Sequence, residues 1–577
     1  MGTSFQKKYI EQIKKNAEEL RNREMPEVTE KLFALFETTG NRLKYEEVYF
    51  MRRKFLAVFG MAAYIWKRKE DVEKLMEVLE GICSEECWAL PAHVNRKAEK
   101  EWRTTVDLFA SETAQALSEI LGLVNKSLPE ECKIPTELCE RVEAEIERRV
   151  LTPFFTSKPN YGGWECADHN WNAVCAGSIG SASIYLMEGK NEERLEQCLR
   201  RICHSLEFYL DGFKEDGTCM EGIGYFTYGM TYFVGFAEQL LRYSKGTMNL
   251  FEKEKVKKIA RFQQKMYFTG GKTVSFSDGE QEAKFRMGLT TFLAEQYDGV
   301  EVPNVLLAAS FDTDPCYRFM GLMRDYLWTE KEMVTELSDS VSRHDVLPDA
   351  QWSICEGTNG AAMAIKGGNN GEPHNHNDVG SFIYLADDEF MVTDLGAGEY
   401  TKEYFGEGRY HILCNSSLGH SVPLIGGQKQ KCGPEYGASE FVADGMGRTK
   451  IEFAGAYPGN VVKHLVRETD FSMDSGALTV TDCFDLPKGT LFFTEQIVTQ
   501  CDVELTEHGA WLRGVHHDCV LQLPEIVKFI WCQEKEHKNH QGETEIVRLL
   551  QWSVPLQPGK ENKGSTWFAM IAYKKEL

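Results

Sequence analysis

The sequence predicts a two-part chain, in which an all-α N-terminal half is followed by a mostly antiparallel β C-terminal half. Three observations predict this division. Up to residue 335, apolar residues recur at helical spacing in helix-length segments with short turns between them. After residue 340, short runs of alternating apolar residues are separated by turn residues, which is typical of a β-sandwich. A chain of 577 residues also exceeds one ordinary core, so more than one domain is expected.

In the N-terminal half, long segments carry apolar residues at three- and four-residue intervals and therefore predict helices. Examples are KYEEVYFMRRKFLAVFGMAAYIW, ERLEQCLRRICHSLEFYLDGF and residues 221–242, EGIGYFTYGMTYFVGFAEQLLR, which has one aromatic-rich face. We assign this domain to residues 1–335. The polar stretch TELSDSVSRHDVLPDA is the predicted linker to a second domain, at residues 336–577.

In the C-terminal half, turn residues divide short apolar runs into predicted hairpins. WSICEGTNGAAMAIKGG predicts two strands around a Gly/Asn turn, and GSFIYLADDEFMVTDLG predicts a hairpin that turns at Asp387 and Asp388. The segments ALTVTDCFDL, GTLFFTEQIVTQ and EIVRLLQWSV continue the same pattern. This half is therefore predicted to be an antiparallel β-sandwich.

The composition is that of a globular protein without nucleic-acid or membrane partners. The formal net charge of −23 is opposite to the basic face that nucleic-acid binding requires. No run of about 20 apolar residues predicts a membrane span. The N-terminal MGTSFQKKYIEQIKKNAEEL is typical of a charged amphipathic helix and not of a secretory signal. The 17 cysteines are scattered, which favours reduced thiols and a cytoplasmic location.

Histidine and aspartate residues cluster near the start of the β half. GEPHNHNDVGSF contains His374 and His376, the following hairpin ends in MVTDLG with Asp394, and LGHSVPL contributes His420. If the first segment is a strand, His374 and His376 point to the same side. The hairpin returns Asp394 towards His376. Two histidines and one aspartate then form a candidate zinc site with an open fourth position, although the same ligands also permit a metallohydrolase.

Two stretches of the helical half combine polar and aromatic residues in a way that plain packing does not require. NYGGWECADHNWNAVCAG places polar residues and Trp after a Gly-Gly turn. DGTCMEGIGYFTYGMTYF places Tyr225 and Tyr228 on one helix face, at positions i and i+3. Taken alone, each stretch also fits core aromatics and a helix-capping Asn. The candidate residues are His169, Asn170, Trp171, Asn172, Glu221, Tyr225 and Tyr228.

Four segments resemble, in the same order, motifs of the heparinase II/III-like family of polysaccharide lyases. They are DHNWNAVC, DGTCMEGIGYFTY, HNHNDVGSFIYLADDEFMVTDLGAGEY and GHSVPLIGG, and they lie between residues 165 and 430. The resemblance implies an incomplete (α/α) toroid followed by an antiparallel β-sandwich. It also implies that residues of both domains contribute to one active site.

Position by position, the resemblance implies roles for individual residues. Asn170 takes the place of the family's carboxylate-binding residue, Tyr225 that of the catalytic tyrosine and His374 that of a substrate-facing histidine. The residues that match the family's zinc ligands are His376, Asp394 and His420.

Two positions depart from the family pattern. Trp171 stands where some members have a His directly after the Asn, and Ser421 follows the last His where Asn is common. The first departure leaves His169 and Asn172 as further candidates for binding the substrate carboxylate.

The predicted reaction is β-elimination on a uronic-acid-containing glycan, which yields a 4,5-unsaturated uronate. Abstraction of the C5 proton places negative charge beside a carboxylate, so preorganised donors such as Asn170 and His374 are needed. Tyr225 then takes the C5 proton or protonates the leaving O4, because neighbouring cations can lower a tyrosine pKa. The candidates for a second acid or base are Tyr404, Tyr410 and His411.

The expected ligands are zinc, in a structural and site-organising role, and a uronic-acid oligosaccharide of glycosaminoglycan or alginate type. Two other functions stay open at this point. A zinc-dependent glycan hydrolase would release a saturated product, and a non-catalytic glycan-binding protein would release none. The sequence does not identify the uronic acid, and it is compatible with a homo-oligomer.

Overall fold

The computed structural model describes residues 3–98, 100–330 and 342–576. Helices dominate the chain before residue 331 and antiparallel strands dominate after residue 341, which confirms the predicted fold class. Two compact units are present. Within the described residues, the helical unit comprises 3–213, 225–261 and 284–330, and the β unit comprises 214–224, 262–283 and 342–576. The predicted boundary between residues 335 and 336 lies outside the described residues and stays a prediction.

The helices carry the following labels and bounds. They are α1 (Ser4–Leu20), α2 (Glu30–Thr39), α3 (Leu43–Trp66), α4 (Lys69–Cys83), α5 (Leu108–Glu119), α6 (Thr136–Ile146), α7 (Thr152–Thr156), α8 (Asn170–Met187), α9 (Glu192–Asp211), α10 (Ile223–Tyr243), α11 (Glu254–Ala260), α12 (Phe262–Lys265), α13 (Met287–Gln296) and α14 (Phe319–Leu327). Among the described residues, no helix combines the length and the apolar character that crossing a bilayer demands.

Small residues on α8 let α10 approach it closely. A Cβ added at Gly177 would lie 2.6 Å from the backbone oxygen of Tyr232, and one at Gly180 would lie 2.4 Å from the ring of Phe236. Residue numbers rise together along the two helices at these contacts, so α8 and α10 run parallel. The small residues of α8 are therefore needed for close packing against α10, and most of this helix is buried.

The contact at Gly177 predicts a loss of stability on substitution. We expect Gly177→Ala to lower the free energy of unfolding by about 1–3 kcal/mol, because the new methyl group forces backbone shifts between α8 and α10. Gly224→Ala is the matched control, since nothing lies within 4 Å of the added Cβ there. Denaturant unfolding followed by the helical circular dichroism signal measures both. Equal stability of the two variants would contradict the close approach.

The strands carry the following labels and bounds. They are β1 (Arg343–Leu347), β2 (Trp352–Glu356), β3 (Ala361–Lys366), β4 (Asn369–Asn370), β5 (Phe382–Ala386), β6 (Glu389–Val392), β7 (Leu424–Ile425), β8 (Gly433–Gly437), β9 (Glu440–Ala443), β10 (Arg448–Glu452), β11 (His464–Phe471), β12 (Leu478–Leu486), β13 (Phe493–Thr499), β14 (Asp502–Thr506), β15 (Gly509–Arg513), β16 (His517–Gln522), β17 (Ile530–Lys538), β18 (Thr544–Val554) and β19 (Asn562–Lys574).

The strands form antiparallel sheets that share one hydrophobic core. The eight-stranded sheet has the order β14-β15-β16-β19-β12-β11-β10-β9, and the smaller sheets have the orders β1-β2-β3-β5-β6, β17-β18-β13-β7 and β4-β8. Strand β12 alternates buried and more exposed residues along its length, as expected for one covered face. Phe382 of the five-stranded sheet, Trp552 of the four-stranded sheet and Phe568 of the eight-stranded sheet belong to the same core. This is the predicted sandwich.

The two predicted hairpins near the His/Asp cluster are confirmed. Strands β2 and β3 pair around the Gly/Asn turn. Strands β5 and β6 pair around Asp387 and Asp388, and Asp387 has a left-handed φ of 49°, which Asp tolerates in tight turns. Because β6 ends at Val392, Asp394 follows it by two residues.

Candidate functional site

Three buried side chains of the β unit form a candidate metal centre. His376 lies in the loop before β5, Asp394 follows β6, and His420 precedes β7. All three are fully buried. One ligand atom from each residue lies within 4.8 Å of the others. The structure thus brings together the three residues that the sequence predicts as metal ligands.

The hydrogen bonds of the two imidazoles show that the centre suits a cation. Nε2 of His420 is 2.7 Å from the backbone oxygen of Cys414, and Nε2 of His376 is 3.0 Å from Oδ1 of Asp278. Both acceptors lack a proton, so each Nε2 donates and each Nδ1 of a neutral ring presents a lone pair. The two Nδ1 atoms and Oδ2 of Asp394 make no hydrogen bond of good geometry among the described residues, although Nδ1 of His420 lies 3.2 Å from that Oδ2.

Buried lone pairs that face a carboxylate oxygen are unfavourable unless a positive charge lies among them. Two imidazole nitrogens and one carboxylate oxygen suit a divalent transition metal and leave coordination positions open. Metal-binding histidines usually donate their second ring N–H to a carboxylate or a backbone carbonyl, as Nε2 of His376 and Nε2 of His420 do here. The residues present therefore fit a metal ion.

The strand prediction for the His-x-His segment is wrong. Residues 374 and 376 lie in an irregular loop, and β5 begins only at Phe382. His374 has a left-handed φ of 55°, which is uncommon for a residue with a side chain. The i, i+2 alternation of a strand therefore does not explain the arrangement. The loop instead directs both rings at one carboxylate.

That carboxylate belongs to Asp278, which sequence reasoning did not identify. Its Oδ2 lies 2.6 Å from Nδ1 of His374, and its Oδ1 lies 3.0 Å from Nε2 of His376. Burial alone would raise the pKa of Asp278, but hydrogen bonds from the two histidines hold this pKa well below its usual range. Asp278 follows Ser277, whose φ of 61° marks a tight turn. The only local signal is the turn sequence SDG after an apolar run.

His374 is the member of the cluster that is open to solvent. Its side chain is 22% exposed, whereas the side chains of Asp278 and His376 are fully buried. Burial alone would lower the pKa of His374, but its hydrogen bond to Asp278 and the charge of that residue raise it, with a further contribution from Glu221. The cationic ring is thereby favoured, and such a ring suits an anionic ligand.

Tyr404, predicted as a second acid or base, lies inside the β unit. It is fully buried, and its hydroxyl donates to Oδ1 of Asp278. Burial and the charge of Asp278 raise its pKa. Because its hydroxyl is held by the buried carboxylate of Asp278, we reassign Tyr404 from a catalytic to a supporting role. Tyr410 is half-buried and His411 is exposed, and both lie in the short helical turn Arg409–His411.

Arg409 anchors that turn to the histidine loop. Its guanidinium donates to the backbone oxygen of Asn375 from Nε and Nη2 and to that of Tyr404 from Nη1. It also lies 4.5 Å from the centre of the Tyr404 ring. The turn that bears Tyr410 and His411 is therefore held beside the loop that bears His374.

In the helical unit, Asn170 and Tyr225 lie at the same end of two packed helices. Asn170 is seven residues before Gly177 on α8, and Tyr225 is seven residues before Tyr232 on α10. Because α8 and α10 run parallel and touch at Gly177 and Tyr232, both residues lie about 10 Å before that contact. Asn170 is buried, and its Oδ1 has no hydrogen-bond partner among the described residues. Tyr225 is half-buried.

The neighbouring candidates of α8 divide into supporting and accessible residues. Asn172 is fully buried, and its Nδ2 donates to the backbone oxygens of Glu165 and Ser205, so this side chain supports the loop before α8. His169, the N-cap residue, and Trp171 are both half-buried. The ring of Trp171 lies 4.7 Å from that of His93.

The remaining two candidates have partners within their own units. Tyr228 donates its hydroxyl to Glu112, and the guanidinium of Arg318 lies 3.9 Å from the centre of its ring. Glu221 is buried in the β unit, where its charge helps to raise the pKa of His374.

Comparisons with known proteins find similar folds only among solved structures. No family model matches the sequence, and no curated protein matches it. Among solved structures, heparinase III has a TM-score of 0.61 at 12% identity, covering 99% of this chain and 93% of that one. The heparan sulfate lyase HepC of Pedobacter heparinus has a TM-score of 0.57 at 12% identity, covering 99% and 88%.

A third similar structure is the chondroitin AC lyase of Streptomyces coelicolor A3 in complex with chondroitin sulphate. Its TM-score is 0.54 at 10% identity, and the match covers 99% of this chain and 79% of that one. Identities this low show the fold alone. The chain has the fold of the heparinase-like polysaccharide lyases.

Proposed function

We propose that the protein is a polysaccharide lyase that cleaves a uronic-acid oligosaccharide by β-elimination. The observation that carries the proposal is the anchored, partly exposed His374 beside the buried candidate metal centre. The fold supports it, since structures with this fold are named as lyases of heparan sulfate and chondroitin. Both are uronic-acid glycans, so we take this substrate class for the present chain.

In the proposed reaction, the substrate carboxylate is neutralised first. His374 donates to it as a cation, and the side-chain amide of Asn170 donates from Nδ2. These contacts stabilise the negative charge that develops when the C5 proton leaves. The electron pair of the C5–H bond forms the C4=C5 double bond, and the bond between C4 and O4 breaks.

Tyr225 is the proposed proton carrier. A phenolate oxygen takes the C5 proton, and the resulting hydroxyl returns a proton to the departing O4. A cationic His374 bound to the same uronate would favour the phenolate. Tyr410 and His411 remain the candidates for a separate acid, because Tyr404 is buried and engaged by Asp278.

We propose zinc as the ion that His376, Asp394 and His420 hold. A bound zinc would supply a fixed positive charge that braces the loop of residues 374–376. The uronate-facing groups are the chain's own side chains, and the proposed role of the three ligands is to fix that loop.

A panel of uronic-acid oligosaccharides, unsulfated and sulfated, tests the function. We expect at least one member to yield a product with the ultraviolet absorbance of a C4=C5 double bond. The acidity of the chain favours weakly sulfated members, because its net charge of −23 repels dense negative charge. A saturated product carrying oxygen from ¹⁸O-labelled water would instead identify a hydrolase and contradict the proposal.

A further inference from the structure

The carboxylate of Asp278 lies between the candidate metal centre and the partly exposed His374. Oδ1 accepts from Nε2 of His376 and from the hydroxyl of Tyr404, and Oδ2 accepts from Nδ1 of His374 and from the hydroxyl of Tyr400, 3.0 Å away. The guanidinium of Arg409 lies 3.6 Å from Oδ1. Oδ1 thus binds the candidate metal ligand His376, and Oδ2 binds His374.

We propose that Asp278 is a positioning residue that couples metal binding at His376 to the orientation of His374. The inference rests on the proposed function, because it assigns His374 to the substrate. Asp278 itself has a fully buried side chain. It therefore acts through its two histidine partners and not by touching a substrate.

The coupling follows from the chemistry of an ionised carboxylate, which only accepts hydrogen bonds. Its two imidazole partners must therefore both donate. His376 donates from Nε2, which leaves Nδ1 unprotonated for the metal. His374 donates from Nδ1, and in the proposed function its Nε2 faces the substrate. One carboxylate thus fixes opposite ring nitrogens of two histidines that are only two residues apart.

The same geometry makes the effect reciprocal. His376 would hold a metal through Nδ1, which would fix its ring; that ring binds Oδ1 of Asp278, and the carboxylate holds His374 through Oδ2. A change that weakens metal binding at His376 therefore also weakens the orientation of His374, and the reverse holds, because a coupling free energy acts equally in both directions. The hydroxyls of Tyr400 and Tyr404 and the guanidinium of Arg409 restrict rotation of the carboxylate.

The decisive variant is Asp278→Asn, which keeps the shape but turns one oxygen into a donor. We expect the zinc Kd of the full chain to rise about 10–100-fold, as is usual when support of a ligand is lost. At saturating zinc we expect kcat to stay about 100-fold or more below that of the wild type, because His374 has lost its tautomer control. KM should change less than kcat. Asp474→Asn, on an exposed turn of the same unit, is the control for zinc affinity.

Two outcomes would overturn the coupling. An unchanged zinc Kd would show that Asp278 does not support His376, and full recovery of kcat at saturating zinc would show that it acts only through the metal. If no uronic-acid substrate is turned over by the wild type, the proposed function fails, but the zinc affinities still test the coupling to His376.

A measurement on the wild type covers the case in which Asp278→Asn does not fold. With ¹⁵N-labelled histidine, Nδ1 of His374 should stay protonated throughout the pH range in which the zinc-loaded chain is folded. His374→Ala assigns the resonance. An unprotonated Nδ1 at His374 would overturn the proposal without any activity measurement.

Discussion

Tyr225→Phe should lower kcat for β-elimination by about 10²–10⁴-fold, the usual contribution of a positioned acid or base. The substitution removes one oxygen and keeps the ring, so the packing of α10 is preserved. KM should change little, since the proposed binding contacts are those of Asn170 and His374. Initial rates of double-bond formation, measured on the oligosaccharide that the wild type cleaves, check this result.

Tyr243→Phe is the matched control for this prediction. Tyr243 is the last residue of α10, and its hydroxyl donates to the exposed Glu192 at the opposite end of the helix from Tyr225. We expect wild-type kcat from this variant. Wild-type turnover by Tyr225→Phe as well would remove Tyr225 from the reaction and transfer the proton steps to Tyr410 or His411.

Local patterns in the sequence predict the fold class and the grouping of His376, Asp394 and His420 as a candidate metal centre. The hairpin of β5 and β6 is specified by turn residues within a few positions of each other, so Asp394 could be placed near His376 from spacing alone. The order of helices and strands follows equally from local periodicity. The resemblance to the heparinase II/III-like motifs, which occur in the same order, added the roles expected for Asn170, Tyr225 and His374.

Asp278 could not be found in this way, because 96 residues separate it from His374. It lies in a segment, residues 262–283, that joins the β unit although helices precede and follow it in the chain. Only the tertiary fold brings this turn to the histidine loop. The burial of Tyr404 was missed for the same reason, since nearness in sequence to Tyr410 carries no information about exposure.

His420→Ala should abolish stoichiometric zinc binding and lower kcat/KM by about 100-fold or more, which is the upper range for losing support of a metal ligand. His376 and Asp394 alone offer one nitrogen and one oxygen, too few for a tight site. The variant should also lose the stability that zinc adds, which is about 4 kcal/mol at a zinc concentration 1,000 times its Kd. Metal analysis and thermal unfolding with and without a chelator measure these effects.

His464→Ala is the control, because His464 lies on β11 with 72% of its side chain exposed. It should keep the zinc content, the unfolding temperature and the activity of the wild type. A His420→Ala variant with full activity after chelation would show that the triad does not organise the site.

Replacement of zinc by cadmium then separates a bracing ion from a catalytic one. If the ion only fixes the loop of residues 374–376, the pH dependence of kcat should stay the same with either metal, because the proton-transferring groups belong to the chain. If a metal-bound water attacked the substrate, the pH dependence would shift with the metal, since the pKa of such a water depends on the ion. The full burial of the three candidate ligands and the partial exposure of His374 favour the first result.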